Sequence, residues 1–141
     1  MQENFDVGQY LLSHHIRPSY QRVRIYQYLI RYRSHPGTDE IYNALHPEIP
    51  TLSRTTVYNT LDLFARRRIV RLLPIDDTQM RYDADMSPHG HFLCLKCHRV
   101  YDFSIDSLLV SGLNRFDVMS KDVFYRGICP SCRQNGGPDC P

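Results

Sequence analysis

The sequence predicts an α+β fold in two parts, and three observations carry that prediction. Three stretches of helical periodicity precede a short hairpin within residues 20–83, and the periodicity fails after residue 81. Two Cys-x2-Cys pairs, Cys94/Cys97 and Cys129/Cys132, stand 31 residues apart. The 141 residues give room for one ordinary domain or two small ones. No apolar run could span a bilayer, and MQENFDVGQY lacks the basic stretch and apolar core of a signal peptide. The expected location is therefore the cytoplasm, which keeps thiols reduced.

The helices come first in the chain. YQRVRIYQYLIRYR (20–33) sets Val23, Tyr26 and Ile30, with Tyr28 and Leu29 nearby, at helical spacing. SHPGTDEIYNAL (34–45) follows, with Pro36 at the entry and Asp39 and Glu40 in the first turn, where the helix dipole favours negative charge. HPEIP (46–50) ends that helix. SRTTVYNTLDLFARRR (53–68) opens on Ser53 as N-cap and puts Val57, Leu61 and Phe64 on one face. IVRLL and QMRYD then flank the turn PIDDT as a β-hairpin.

Three helices and a hairpin are the order of a winged helix-turn-helix. Its last helix would offer Arg54, Thr55, Thr56, Tyr58 and Asn59 to base edges, because a recognition helix reads DNA near its N-terminus. A helical core with a polar outer face accounts for the same pattern. Charge leans toward DNA: residues 1–73 set ten arginines and no lysine against six carboxylates, a net +4. Residues 74–141 set seven basic groups against nine acidic ones, a net −2. Guanidinium forks suit phosphate, although a solvated basic surface looks the same in sequence.

Beyond residue 81, residues 91–103 read as two short strands joined by a cysteine turn. SIDSLLVSGL (104–113) reads as a short helix, and FDVMSKDVFYRGI (116–128) as a long strand. The expected organisation is a DNA-binding domain over 1–80, including hairpin and hinge. A metal-binding domain follows over 81–132, and the tail RQNGGPDCP over 133–141 is expected to be disordered.

So small a second domain, poor in large apolar residues, needs a staple. Cys94, Cys97, Cys129 and Cys132 supply a four-thiolate set with the spacing zinc prefers. Two disulfides are disfavoured by the reducing compartment, and a redox pair lacks a fitting βαβ start. The segment HGHFLCLKCHRVYDF (89–103) adds a second set. Strand alternation points His89 and His91 one way and Cys94 the other, so one metal could not easily take both sets. Asp83 and Asp102 lie close in sequence, and histidine with carboxylate makes a harder site, suited to Fe(II), Mn(II) or a regulatory Zn(II). From the residues alone, His89 and His91 read equally as solvated loop residues.

Taken together the chain resembles the ferric uptake regulator family of metal-dependent repressors. The resemblance runs from about residue 10 to Cys132 on an ordered set of motifs: YQR (20–22), HPGTDEIYNAL (35–45), TTVYNTL (55–61), RYD (81–83), HGHFLCLKC (89–97), VYDF (100–103) and GICPSC (127–132). It implies a homodimer on palindromic operator DNA, with an N-terminal winged helix and a C-terminal dimerisation domain. One structural Zn(II) per chain is implied at the four cysteines. One regulatory Fe(II) or Mn(II) per chain is implied at His35, Asp83, His89, His91 and Asp102. On pattern alone, His35 is simply a residue before a helix.

Two features resemble the peroxide-sensing branch: both carboxylates are Asp where iron sensors usually carry a Glu, and Asn59 stands where they carry Arg. That branch implies peroxide as signal, with an oxygen added to His35 or His89 of the ferrous protein. An iron- or zinc-responsive uptake regulator of the same family is the alternative. His98 departs from the family's usual Gly after Cys-x2-Cys, and Cys140 is an additional thiol. Histidines with a carboxylate also build oxygen-activating iron enzymes, but nothing here builds a substrate pocket around them. The expectation is a regulator, with no small-molecule substrate beyond the peroxide signal and no membrane partner.

Overall fold

The computed structural model describes residues 5–135, which divide into two compact units between Met86 and Ser87. The first unit is helical with one hairpin. Helix α1 (Val7–Ser13) is capped by Asp6, whose carboxylate accepts from the Gln9 N–H at 3.1 Å. At its end His15 turns left-handed (φ 60°), and the Ile16 N–H reaches back to the Leu11 carbonyl. Sequence periodicity did not anticipate this helix, because seven residues give too few turns for a repeat to register.

Helices α2 (Tyr20–Arg31) and α4 (Arg54–Arg66) start on Ser19 and Ser53, each serine hydroxyl accepting from the N–H three residues on. Helix α3 (Thr38–Leu45) carries Asp39 and Glu40 in its first turn, as expected. The stripe that α2 buries is Ile25, Tyr26 and Leu29; Val23, Tyr28 and Ile30 only flank the core, a rotation from the expected face. Val57, Leu61 and Phe64 of α4 are fully buried, as the 3-4 spacing predicts. Each such side chain contributes about 1.5–3 kcal/mol by leaving water. Arg68 closes α4 in a left-handed conformation, and the Ile69 N–H returns to the Phe64 carbonyl at 3.1 Å.

Strands β1 (Arg71–Leu73) and β2 (Arg81–Asp83) form the antiparallel hairpin, with Arg71 opposite Asp83 and Leu73 opposite Arg81. Three helices and a wing are therefore present in the predicted order, preceded by α1.

The second unit has a three-stranded sheet in the order β4-β3-β5. Strand β3 (Gly90–Cys94) pairs antiparallel with β4 (Val100–Phe103) and parallel with β5 (Phe124–Gly127). The short helix α5 (Pro130–Asn135) follows. Its buried centre is mostly sulfur: Cys94, Cys129 and Cys132, with Phe92, Cys97 and Tyr101 against them.

Three expectations are corrected here. Residues 104–113 form no helix, the strand expected over 116–128 shrinks to 124–127, and residues 133–135 continue α5. The physical reason for the first two is a missing surface. Leu109 is 97% exposed, Met119 86% and Val110 65%, so the segment's apolar face has nothing within its unit to bury against. An isolated helix of about ten residues is not stable on propensity alone. The remainder of the expected tail lies outside the described residues.

Candidate metal centres and nucleic-acid interface

Cys94 ends β3, Cys97 sits in the turn to β4, Cys129 follows β5, and Cys132 lies in α5. Their sulfur atoms all lie within 4.8 Å of one another, and Cys97 Sγ stands 3.9 Å from Cys129 Sγ. Zinc–thiolate bonds of about 2.3 Å imply about 3.8 Å between sulfurs of a tetrahedron, so the cage fits zinc. Backbone N–H groups already point at the sulfurs: Cys129 N–H at 3.3 Å and Cys97 N–H at 3.5 Å from Cys94 Sγ, and Cys132 N–H at 3.4 Å from Cys129 Sγ. Burial alone would push the Cys94 thiol up. The N–H donors of Cys97, Cys129 and Lys96 outweigh it and bring the thiol down to about 6. Cys97, half-buried, is pushed up instead, by desolvation first and then by the Cys94 and Cys129 thiols beside it. A metal that takes all four as thiolates resolves that conflict.

His98 follows the turn in a left-handed conformation (φ 60°), its N–H donating to the Cys94 carbonyl at 2.8 Å. This conformation is why glycine is the comfortable residue there. Cys140 lies outside the described residues.

The second cluster grows from the β3–β4 register. His91 and Asp102 are directly opposite in the ladder, and His89 precedes β3 by one residue. Nε2 of His89 and of His91 approach the same Asp102 Oδ1, at 3.5 and 3.3 Å. His91 is almost completely buried. The Nδ1 of His89 lies 2.7 Å from the Ser87 carbonyl, which can only accept, so Nδ1 donates there and Nε2 is the ring nitrogen turned toward the carboxylate. The two ring nitrogens and the carboxylate oxygen stand at spacings close to the roughly 3–3.6 Å between atoms that share one metal at about 2.1 Å. The donor set suits a divalent cation harder than the cage would take.

In the first unit His35 stands before α3 and Asp83 ends β2, with Nε2 and Oδ2 3.7 Å apart and both side chains buried. His35 is left-handed (φ 52°), a conformation that costs a non-glycine residue about 1–2 kcal/mol. Sequence reasoning named both residues but missed what holds them. Arg81, two residues before Asp83, is buried, donates to the His35 carbonyl and pairs with Asp76. Its one signal in sequence is an arginine inside a short strand that begins QMRYD.

On α4 the outward face carries Arg54, Thr55, Tyr58 and Asn59, all exposed, with Thr56 half-buried beside the Ser53 cap. Tyr58 is 55% exposed, more than a tyrosine kept for packing needs. Arg54 stacks over the Tyr42 ring at 4.3 Å and meets Asp39 at 3.0 Å, so its guanidinium is held near the N-terminus of the helix. Among the described residues no helix is long and apolar enough to cross a membrane.

A helix presented beside a wing, joined in one chain to a thiolate-caged unit with a histidine–aspartate cluster, defines a metal-dependent transcription regulator. The chain belongs to the ferric uptake regulator family, whose family model matches residues 13–116. It is 36% identical over 126 residues to the peroxide-responsive repressor PerR of Staphylococcus epidermidis, spanning 86% of this chain and 84% of that one. A solved structure of PerR from Streptococcus pyogenes is 30% identical, with a TM-score of 0.53 over 93% of this chain and 96% of that one. The ferric uptake regulator of Vibrio cholerae shares the fold at 20% identity, with a TM-score of 0.71 over 88% of this chain and 100% of that one. The protein is thus a PerR-like regulator and not an enzyme. Regulators of this family bind operator DNA as dimers.

Proposed function

We propose that this chain is a peroxide-responsive repressor, acting as a homodimer in the cytoplasm on a palindromic operator. The observation that carries the reading is the convergence of His89 and His91 on one Asp102 oxygen, with a second histidine–aspartate pair at His35 and Asp83. Cys94, Cys97, Cys129 and Cys132 hold a structural Zn(II). His35, Asp83, His89, His91 and Asp102 hold a regulatory Fe(II) or Mn(II). Arg54, Thr55, Thr56, Tyr58 and Asn59 read the operator, with Arg66, Arg67 and Arg68 nearer phosphate. The exposed apolar residues Leu109, Val110 and Met119 suit a second copy of the chain.

Ferrous iron, when bound, supplies the reducing power that activates peroxide beside the imidazoles. One oxygen of peroxide enters a ring C–H bond of His35 or His89, and the other leaves as water. The modified ring no longer donates as it did, the ligand set breaks, and the operator is released. Asp83 and Asp102, both aspartates, and Asn59 favour this branch over plain iron sensing.

The test is to load the protein anaerobically with Fe(II) or Mn(II), add a small excess of peroxide, and measure operator binding and peptide masses. One added oxygen on the His35 or His89 peptide, with Fe(II) only and with parallel loss of operator binding, is the expected result. An iron form that keeps its DNA with unmodified histidines would move the protein to the iron- or zinc-responsive reading. Oxidation confined to the cysteine peptides, with zinc release, would make the thiolate cage the sensor instead.

A further inference from the structure

We propose that Arg81 is a positioning residue for His35, and that with Asp76 it ties the turn of the β1–β2 hairpin to that histidine as one mechanical piece. The inference rests on the regulatory role proposed for His35 and Asp83, and every contact behind it lies within the first unit. Arg81 is 8% exposed. Its Nε donates to Asp76 Oδ2 at 3.1 Å and Nη2 lies 3.1 Å from the same oxygen, while Nη1 donates to the His35 carbonyl at 3.1 Å. Asp76 is held in turn by the Thr78 N–H at 3.0 Å and the Thr78 hydroxyl at 2.7 Å. One planar fork therefore bridges the hairpin turn to a backbone carbonyl 46 residues earlier in the chain.

The same seam continues on both sides. The Tyr82 N–H donates to the Pro36 carbonyl at 3.0 Å. The Met80 carbonyl lies 3.1 Å from where a Cβ on Gly37 would stand, which is closer than a side chain sits at ease. Residues 80–82 thus lie along residues 35–37, contact by contact.

His35 needs such a seam. Its left-handed backbone persists only where the surroundings over-determine it. A buried ion pair is a poor device for stability alone, since apolar residues of similar volume often do as well. It is a good device for holding one geometry. Arg81 and Asp83 also project from the same face of β2, because side chains alternate along a strand. The strand that clamps the His35 backbone is the strand that presents Asp83 to the His35 ring. Order in residues 74–80 then becomes a condition for a preformed His35–Asp83 pair, and a metal on that pair reinforces the order of the turn.

The experiment compares zinc-loaded, full-length wild type with Arg81→Met, Arg81→Lys and Asp76→Asn. Mn(II) is titrated alone, with free manganese read by electron paramagnetic resonance. Arg81→Met is expected to weaken Mn(II) binding about 10–100-fold, as losing the partner of a ligand does. Asp76→Asn should shift it the same way by less. Arg81→Lys should fall between wild type and Met, since one ammonium cannot fork to both Asp76 and the carbonyl. Hydrogen exchange without Mn(II) is the second readout, and Asp76→Asn carries both measurements if Arg81→Met does not fold. The Tyr82 amide should exchange faster in the variant by about ten-fold more than the α4 amides of Leu61 and Phe64, which follow the global stability of the first unit. If all these amides quicken by the same factor, Arg81 serves stability alone and the inference is overturned. Wild-type affinity for Mn(II) in Arg81→Met overturns it as well. A wild type that takes up no Mn(II) overturns the proposed regulatory metal, and the inference with it.

Discussion

Asp76 illustrates how much a single residue can decide. Burial pushes its carboxyl upward, yet the Thr78 N–H and hydroxyl and the Arg81 guanidinium outweigh that and hold it below the usual carboxylate range. Folding therefore favours the ionised form. Its contribution to stability is present above the unfolded-state value of about 3.9 and is lost as pH falls through the lower folded-state value. Asp76→Asn should accordingly unfold at lower temperature than wild type near neutrality, with the gap closing as the pH is taken below about 4. Helical circular dichroism is the measurement, because this pair belongs to the unit that carries helices α1 to α4. A gap that widens toward acid would mean that Asp76 is not ionised in the fold.

None of this was visible around PIDDT and QMRYD in sequence, where Asp76 and Arg81 read as turn and strand residues. Their meaning depends on the carbonyl of His35, which only the fold brings near. The cysteines are the opposite case. Thiolate chemistry and two-residue spacing restrict what four of them can do together, and the cage has the expected members within bonding range of one metal.

At the scale of elements, α4 was legible because its two faces obey different rules at once. Val57, Leu61 and Phe64 bury, while Arg54, Tyr58 and Asn59 stay in water. If Asn59 reads adenine with its amide oxygen and nitrogen together, Asn59→Ala should lose roughly 1–3 kcal/mol of discrimination on the operator and little on random DNA. Arg67→Ala should instead weaken all sequences alike and reduce the salt slope by about one unit. Fluorescence anisotropy on operator and scrambled duplexes across a salt series separates the two. Equal losses on both duplexes for Asn59→Ala would remove it from base reading.

The segment 104–123 failed as a sequence reading for a related reason. Apolar residues at Leu108, Leu109 and Val110 signal burial but do not say against what. Periodicity assumes that a partner surface exists, and the second unit offers none of its own.

At the scale of the whole molecule, the two units are stabilised by different means. The first has a continuous core from Val7 to Tyr82, whereas the second centres on cysteine sulfur. Zinc binding in so small a unit is folding free energy. Cys129→Ser should release the structural zinc and leave the second unit unfolded and the protein monomeric, while the helices of the first unit persist. Zinc analysis, analytical ultracentrifugation and circular dichroism test the three parts separately. A zinc-free dimer that retains the β3–β4–β5 sheet would show that the cage is dispensable.

The sequence by itself determined the helix-and-wing order, the four-cysteine cage and the family. Each of these is written in local spacing: 3-4 periodicity, capping serines and cysteine pairs act within a few residues of one another. The tertiary structure alone decided the left-handed backbone of His35, its clamp by Arg81 and Asp76, and the convergence of His89 and His91 on one oxygen of Asp102. These depend on distances between groups carried by different elements. Such distances follow from strand register and from the burial of charge, and no local pattern encodes either.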